Sequence, residues 1–460
     1  MRSAIVIGGG ISGLAAAWEL RKHADVTVLE SAPRVGGQLR SVYVAGVPVD
    51  VGAEVLTAEQ PEALALARDV GLADALREPA DAALCIWSDG ALRPLPARQV
   101  RGIPAEPAAL TGTGLLSDDG INRLSQEEAL PAHGLEGDVP VAEYLAGRIG
   151  REAVDRLVDP LLGARGGGLA DRLSLRAALP RLAAVARRGG SVVREVRATL
   201  STAPSPATAA YGVDGGLGRL PQAVATASGA RVLTETRAHE VRRTPAGRWR
   251  VLATTGDGPL VMETDAVICA LPAGPAAALL RPHAPVAEAG LAGVRHAGTA
   301  VVTLAFARAT MPRRPPEGNG YVVPPIERRA TREVTFLSNK WRHVDDAEPG
   351  LFLLRASLGH IGEEHRLAVP DRHLIRSAVV ELRLAVGALG EPVAARVTRW
   401  ENALPQFDVG HGERIDTIRA ALKALPGLDV CGAAYAGMDV ASCVASGRAA
   451  ALRVVAGAAY

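Results

Sequence analysis

Gly8, Gly10 and Gly13 stand at GxGxxG spacing in Gly8-Gly9-Gly10-Ile11-Ser12-Gly13, between the apolar run Ser3 to Ile7 and the helix former LAAAWELRKH. Amides left free at a helix start, with the helix dipole behind them, attract phosphate. In that chemistry Gly8 permits the tight turn, Gly10 lets the backbone approach a diphosphate, and Gly13 lets helix and strand pack closely. Glu30 closes the next strand-like run, DVTVLE, 20 positions after Gly10. A carboxylate there accepts hydrogen bonds from ribose hydroxyls. A lone GxGxxG is weak, but between a strand and a helix, with the acid in place, it specifies a dinucleotide site. A βα turn holding nothing is the bland alternative. The other chemistry-bearing residue types form no constellation. The ten histidines show no pairing that suggests a triad or a metal site. Cys85, Cys269, Cys431 and Cys443 form no CxxC pair and match no zinc spacing. No metal ligand and no obligatory catalytic acid or base is assigned.

The elements around this motif follow from composition and pattern. At 460 residues the chain exceeds what one core usually organises, and its 48% hydrophobic content fills a large interior. With 51 basic against 49 acidic residues it lacks the basic excess of a nucleic-acid binder. The start, MRSAIVIGGG, has no secretory pattern, and no uninterrupted apolar stretch has the length of a membrane span, so a cytoplasmic location is expected. Residues 91–140 read as Pro- and Gly-rich loops and residues 141–200 as helices. The arginines of SLRAALPRLAAVARRGGSVVREV suit either a membrane surface or a solvated helix face, and the solvated face is preferred. Ala230 to Val241, GRWRVLATT and LVMETDAVICALP read as a strand, a hairpin and a strand. Residues 295–400 alternate strand-like runs with one helix near 371–389, which suggests an antiparallel sheet with one covered face. The closing segment is strand, glycine turn and helix, with Asp439 placed to cap that helix.

The loop after Glu30 narrows the cofactor. Ser31-Ala32-Pro33-Arg34-Val35-Gly36-Gly37-Gln38 resembles the R-x-G-G fingerprint of glutathione-reductase-like and amine-oxidase-like flavoproteins, in which this loop wraps the ribose and phosphates of FAD. Gly52, Ala53, Glu54 and Val55 match the segment that approaches the flavin end. The resemblance implies FAD, contacted by Gly8 to Gly13, Glu30, Ser31, Arg34, Gly37 and Gln38. It also implies a backbone contact near Ala238 to the adenine. Under the flavin reading the closing helix has a task, because reduced flavin carries negative charge that a helix N-terminus stabilises. Met438, Asp439 and Val440 are the candidates there. An NAD enzyme is the competing reading of the opening motif.

Later motifs occur in order along nearly the whole chain: LRPLPARQVRGIP, DRLSLRAALP, DGGLGRLPQAV, GNGYVVP, TFLSNKW, LLRASLG, RWENALPQFDVGH and CGAAYAGMDVASCVASG. Together they resemble the oxygen-dependent protoporphyrinogen and coproporphyrinogen III oxidases of haem synthesis, and most of all those acting on coproporphyrinogen III in Gram-positive bacteria. The resemblance implies an α/β (α+β overall) fold: a Rossmann-like FAD-binding domain of the amine-oxidase type, a mixed-sheet substrate domain and a helical insertion. The expected division is 1–75, 205–285 and 395–460 for FAD, 76–90 and 286–394 for substrate, and 91–204 for the insertion. It implies a six-electron oxidation of a porphyrinogen by O2 with peroxide formed, through three hydride transfers from a meso carbon to the flavin. It sets Trp400 against the flavin and Asn319, Gly320 and Val322 beside the substrate cavity, each with a structural alternative. Arg355 is a candidate for a substrate propionate, with an ion pair as the alternative. A homodimer and a peripheral membrane contact stay open.

Three departures from the family pattern stand out. Ala164 to Gly168 reads ARGGG where a YAGD-like segment is usual, Asp439 to Val444 alters a G-(I/L)-x-D-C-I pattern, and Gln38 stands where a basic residue is common. They leave open a protoporphyrinogen IX oxidase or a specialised paralogue, and a flavin-binding protein without turnover. A flavin amine oxidase lacks support, since no cysteine-bearing flavin attachment motif and no lysine in GTAVVTLAF are present. The longer C-terminal motif of carotenoid desaturases is missing too.

Overall fold

The opening run Ser3–Ile7 lies in the middle of a parallel sheet, where an apolar strand buried on both faces belongs. Its neighbours are Asp25–Leu29 on one side and Ala266–Cys269 on the other, with Arg231–Leu233 and Leu428–Val430 at the edges. The protein is described as a computed structural model covering residues 1–202, 210–312, 316–387 and 389–457. The expected boundary between 204 and 205 and the end of the chain at 458–460 lie outside the described residues.

The helix Ile11–Leu20 follows the first strand and packs against the closing helix Val440–Gly457. Their contact depends on Gly447, where a Cβ would stand 2.0 Å from the Ser12 carbonyl oxygen. The closing helix alone among the described residues matches a membrane span in length and hydropathy, yet half of it is buried within the protein. The run read as one strand from Ala230 to Val241 is two. Arg231–Leu233 joins the parallel sheet, and Arg237–Arg243 turns away into an antiparallel meander with Trp249–Thr255 and Gly258–Thr264. The chain then returns to the parallel sheet through Ala266–Cys269.

A second, seven-stranded sheet carries the strands Leu84–Ser88, Ala91–Pro94, His296–Ala307, Gly320–Val322, Thr331–Thr335, Leu351–Leu358 and Ala394–Pro405. It is antiparallel except where Gly320–Val322 runs parallel to Leu84–Ile86. The expectation of one covered face is corrected: ten successive residues of His296–Ala307 are buried. Ala300, Val302, Leu304 and Phe306 pack under the helix Asp371–Val386, while Ala305 and Leu353 on the other face meet the hairpin Ser41–Asp50. The near-continuous apolar run carried that signal. Strand Ala394–Pro405, with which the expected last FAD segment begins, hydrogen-bonds along this sheet beside His296–Ala307.

Residues 118–202 form the helical part. The arginine-rich helices Pro180–Arg187 and Val192–Thr202 bury Leu182, Ala183, Ala186, Val192, Val193 and Val196 in its core. Arg194 and Arg197 pair with Glu128, and Arg197 also with Glu106. Packing within the protein accounts for that amphipathic pattern.

Candidate active site

The opening helix begins at Gly10, which has no side chain to cap its first amides. A Cβ at Gly10 would meet nothing within 4 Å, so the space before these amides is free for a ligand. Gly8 differs: its φ is +111°, and a Cβ would stand 2.6 Å from the Ala270 carbonyl oxygen. At Gly13 a Cβ would stand 2.0 Å from the Gly8 oxygen. Ile11 and Ser12 are buried at the base of the turn.

Glu30 reaches across from the second strand. Its carboxylate accepts from the Gly9 N–H at 2.7 Å and the Ala32 N–H at 2.8 Å, with the Ser31 hydroxyl at 3.5 Å. The Arg34 guanidinium donates to the Val35 and Gly37 carbonyls and so shapes its own loop. Burial, then the Arg40 charge, lowers its pKa, with Glu30 acting the other way. Gly36 donates to the Gly9 carbonyl at 2.8 Å, and Gly10 and Gly36 form a parallel bridge. Two glycine loops nearly 30 residues apart thus close on one another, leaving the first amides of a helix between them. The Glu235 and Thr236 amides bond to Ala32 and Glu30, which brings the meander, with half-buried Ala238, to the nucleoside end.

At the other end, Gln38, Gly52 and Trp400 converge. Gln38 donates to the Ala403 carbonyl at 2.8 Å, and a Cβ on Gly52 would stand 1.8 Å from the Gln38 oxygen and 3.5 Å from the Trp400 ring. The Trp400 indole donates to the Val51 carbonyl at 2.6 Å and packs, with Val55, on the cluster under the second sheet. Ala53 packs on the opposite cluster, around the opening helix. Asp439 caps the closing helix, accepting from the Ser442 N–H at 2.9 Å and the Ser442 hydroxyl at 2.8 Å. Val440 is buried behind it, and Met438 reaches Gly166, where a Cβ would stand 2.6 Å from the Met438 methyl carbon.

The segment Asp50–Glu54 is held by charge. Arg355 donates to the Asp50 and Gly52 carbonyls, both at 3.0 Å, and pairs with Glu54 at 3.0 Å; Lys340 also pairs with Glu54. Burial raises the Glu54 pKa, but Arg355 and Lys340 together bring it below the ordinary value. Asp50 accepts from the Ser41 hydroxyl and the Leu217 N–H, tying in the glycine turn of YGVDGGLGRL. Burial pushes its pKa up to about 6, against those hydrogen bonds. Arg355 is therefore engaged with the protein's own backbone and carboxylate.

Gly320 and Val322 belong to one strand of the second sheet, and Asn319 immediately precedes it. Asn319 donates to the Ala80 and Ala82 carbonyls, leaving its own side-chain oxygen buried without a partner. Gly320, at φ +142°, allows close pairing, since a Cβ would stand 2.0 Å from the Val334 oxygen. Val322 lies in the core of the helical part. Gly320 is paired to Thr335 and Thr335 to Arg355, so this group sits two strands, roughly 10 Å, from Arg355.

Sequence reading missed Lys340, Asp50, Arg332 and His360. Lys340 lies in TFLSNKW, and its being the only lysine between residues 295 and 400 was a signal that could have found it. Nothing in sequence marked Arg332, which is buried near the ARGGG turn. Among the described residues no cluster of metal-ligating side chains occurs.

The profile of the flavin-containing amine oxidoreductases matches residues 11–455. The coproporphyrinogen III oxidase of Mycobacterium tuberculosis H37Rv is 36% identical over 97% of this chain and 96% of its own. That of Bacillus subtilis strain 168 is 28% identical, with the same two coverages. A crystal structure from Exiguobacterium sp. 255-15, bearing the name protoporphyrinogen oxidase, aligns over 99% of both chains with a TM-score of 0.87 and 28% identity.

Proposed function

Since the chain belongs to the flavin-containing amine oxidoreductase family, we propose that it oxidises a porphyrinogen, coproporphyrinogen III before protoporphyrinogen IX, to the porphyrin with oxygen as acceptor. It is an FAD-dependent oxidoreductase. One observation carries the site: the uncapped helix start at Gly10, with open space before it, against which the Arg34–Gly37 loop closes. A diphosphate fits those amides, and the Glu30 carboxylate stands at the edge of the turn, where a ribose diol would lie.

Bound FAD would supply the acceptor for the hydrogens of the macrocycle and the route from there to oxygen. The chain's own residues bind, orient and polarise. Gly8 to Gly13, Glu30, Ser31, Arg34 and Gly37 would hold the adenosine diphosphate, with the Ala238 backbone at the adenine. Gln38, Gly52 to Val55 and Trp400 would border the ring system. Val440 and Ala441, at the start of a helix already capped by Asp439, would offer amides and a positive dipole end that favour a negatively charged ring system. The Arg355–Glu54–Lys340 network fixes the Asp50–Glu54 segment, and we assign Arg355 to that positioning task rather than to a propionate. Asn319, Gly320 and Val322 are assigned to the wall of the substrate cavity. A cytoplasmic location fits this reading.

The test is incubation of the purified holoprotein with coproporphyrinogen III and, separately, with protoporphyrinogen IX, following porphyrin fluorescence and peroxide. Porphyrin formation above autoxidation is expected, faster with coproporphyrinogen III. Its absence with both substrates defeats the reading, and faster conversion of protoporphyrinogen IX reverses the substrate order.

A further inference from the structure

Thr331–Thr335 pairs with Leu351–Leu358 irregularly: Thr331 opposes Leu358 and Glu333 opposes Ser357, so Arg332 is the extra residue of a β-bulge. Bulges of this kind re-aim a side chain. Here the side chain goes inward, and Arg332 is only 4% exposed. Its Nη1 donates to the Gly359 carbonyl at 2.9 Å, its Nε has no partner, and it forms no ion pair with any described residue. His360 beside it is also buried, with Nδ1 unpartnered. A buried guanidinium without a carboxylate is strongly unfavourable. Burial lowers the Arg332 pKa, Glu333 opposing and the Arg355 charge adding to the shift.

Gly167, at φ +66°, ends the helix Asp159–Gly166, and a Cβ there would stand 2.9 Å from the Arg332 Nη1. The Gly167 carbonyl accepts from the Ile361 N–H, which fixes the turn to the His360 loop. The adjacent Gly166 lies against Met438, just before the capped closing helix. The ARGGG segment therefore thins the wall between a lone buried cation and the flavin end of the site.

We propose that Arg332, with His360 beside it, receives a carboxylate of the substrate next to the Gly166–Gly168 turn, and so acts as a specificity-determining residue. This deepens the porphyrinogen reading and rests on it for the identity of the carboxylate. The planar guanidinium, already held through one nitrogen by Gly359, is suited to a carboxylate.

The test compares binding of coproporphyrin III and of its uncharged tetramethyl ester to wild-type and Arg332→Leu holoprotein, by fluorescence titration. The substitution is expected to weaken the acid about 10- to 100-fold, the worth of one hydrogen-bonded charge, and to leave the ester unchanged. KM for coproporphyrinogen III should rise similarly with kcat within a few-fold, and Tm should not fall, because an unpaired buried charge is removed. Unchanged binding of the acid, or equal weakening of acid and ester, overturns the proposal. Arg332→Lys, which keeps the charge and loses the planar fork, covers the case in which the leucine variant does not fold. Several-fold weaker binding of the acid alone supports the proposal, and unaltered binding overturns it. Arg332-dependent binding of the acid by a wild type that oxidises no porphyrinogen would keep the carboxylate site and defeat the oxidase reading. Turnover with unaltered acid affinity in the variant would do the reverse.

Discussion

Replacing Gly10 by alanine separates binding from folding. Gly10 has φ −70° and ψ 171°, a conformation alanine adopts freely, and the added methyl would meet nothing within 4 Å. In the free protein two small effects oppose. Restricting the unfolded chain contributes about 0.4–1 kcal/mol of stability, and alanine at a helix N-cap loses a comparable amount relative to glycine, about 0.5–1 kcal/mol. Apoprotein stability should therefore change by less than about 1 kcal/mol. With a diphosphate across the turn the same methyl occupies its approach. Loss of one charge-assisted hydrogen bond, about 1.5–3 kcal/mol, weakens FAD roughly 10- to 100-fold. The assay pairs urea unfolding of apoprotein with titration of FAD by fluorescence quenching. Wild-type FAD affinity in Gly10→Ala would refute the placement of the diphosphate. So would apoprotein destabilisation of about 2 kcal/mol or more, which would make Gly10 a packing glycine like Gly13.

Further expectations follow from the same contacts. Gly447→Ala drives a methyl to 2.0 Å from the Ser12 oxygen, so the two helices must part, lowering stability by about 2–3 kcal/mol in urea unfolding. Glu54→Gln leaves Arg355 and Lys340 without their shared carboxylate and should cost about 3 kcal/mol, measured as a lower unfolding midpoint in apoprotein and holoprotein alike. His360 is held down to about 4 from 6.5 by burial and then by the Arg332 and Arg366 charges. Its folded pKa is depressed, so its neutral form contributes stability above pH 6.5 that is lost as pH falls towards 4, up to about 3 kcal/mol. His360→Gln should therefore lose less stability than wild type between pH 7.5 and 4.5, and parallel pH profiles of unfolding would contradict this. Trp400→Phe removes the bond to Val51 and should shift the visible spectrum of bound flavin while FAD is retained.

What sequence made legible was local. The glycine turn, Glu30 and the Arg34–Gly37 loop lie within 30 residues of one another, and strand and helix periods fix their geometry before any tertiary contact forms. Asp439 was readable as a cap for the same reason. The Glu54–Lys340 pair joins residues 286 positions apart, and no period or motif links them. Arg332 escaped notice because a bulge, invisible in composition, decides which way its side chain points. The second sheet was read as half-covered from its antiparallel order, although GTAVVTLAF lacks the alternation that a solvated face imposes. The ARGGG segment was legible as a departure and not as a structure: its glycines end a helix and let Arg332 and Met438 approach from two sides.

Flavin bound between these glycine loops is expected to take hydrogen from a porphyrinogen. Anaerobic mixing of yellow holoprotein with coproporphyrinogen III tests it most directly. Bleaching of the flavin absorption is expected anaerobically, since one bound flavin takes two of the six electrons, and the yellow colour should return and porphyrin accumulate when oxygen is admitted. A flavin that stays oxidised in the presence of excess coproporphyrinogen III and of protoporphyrinogen IX would contradict it.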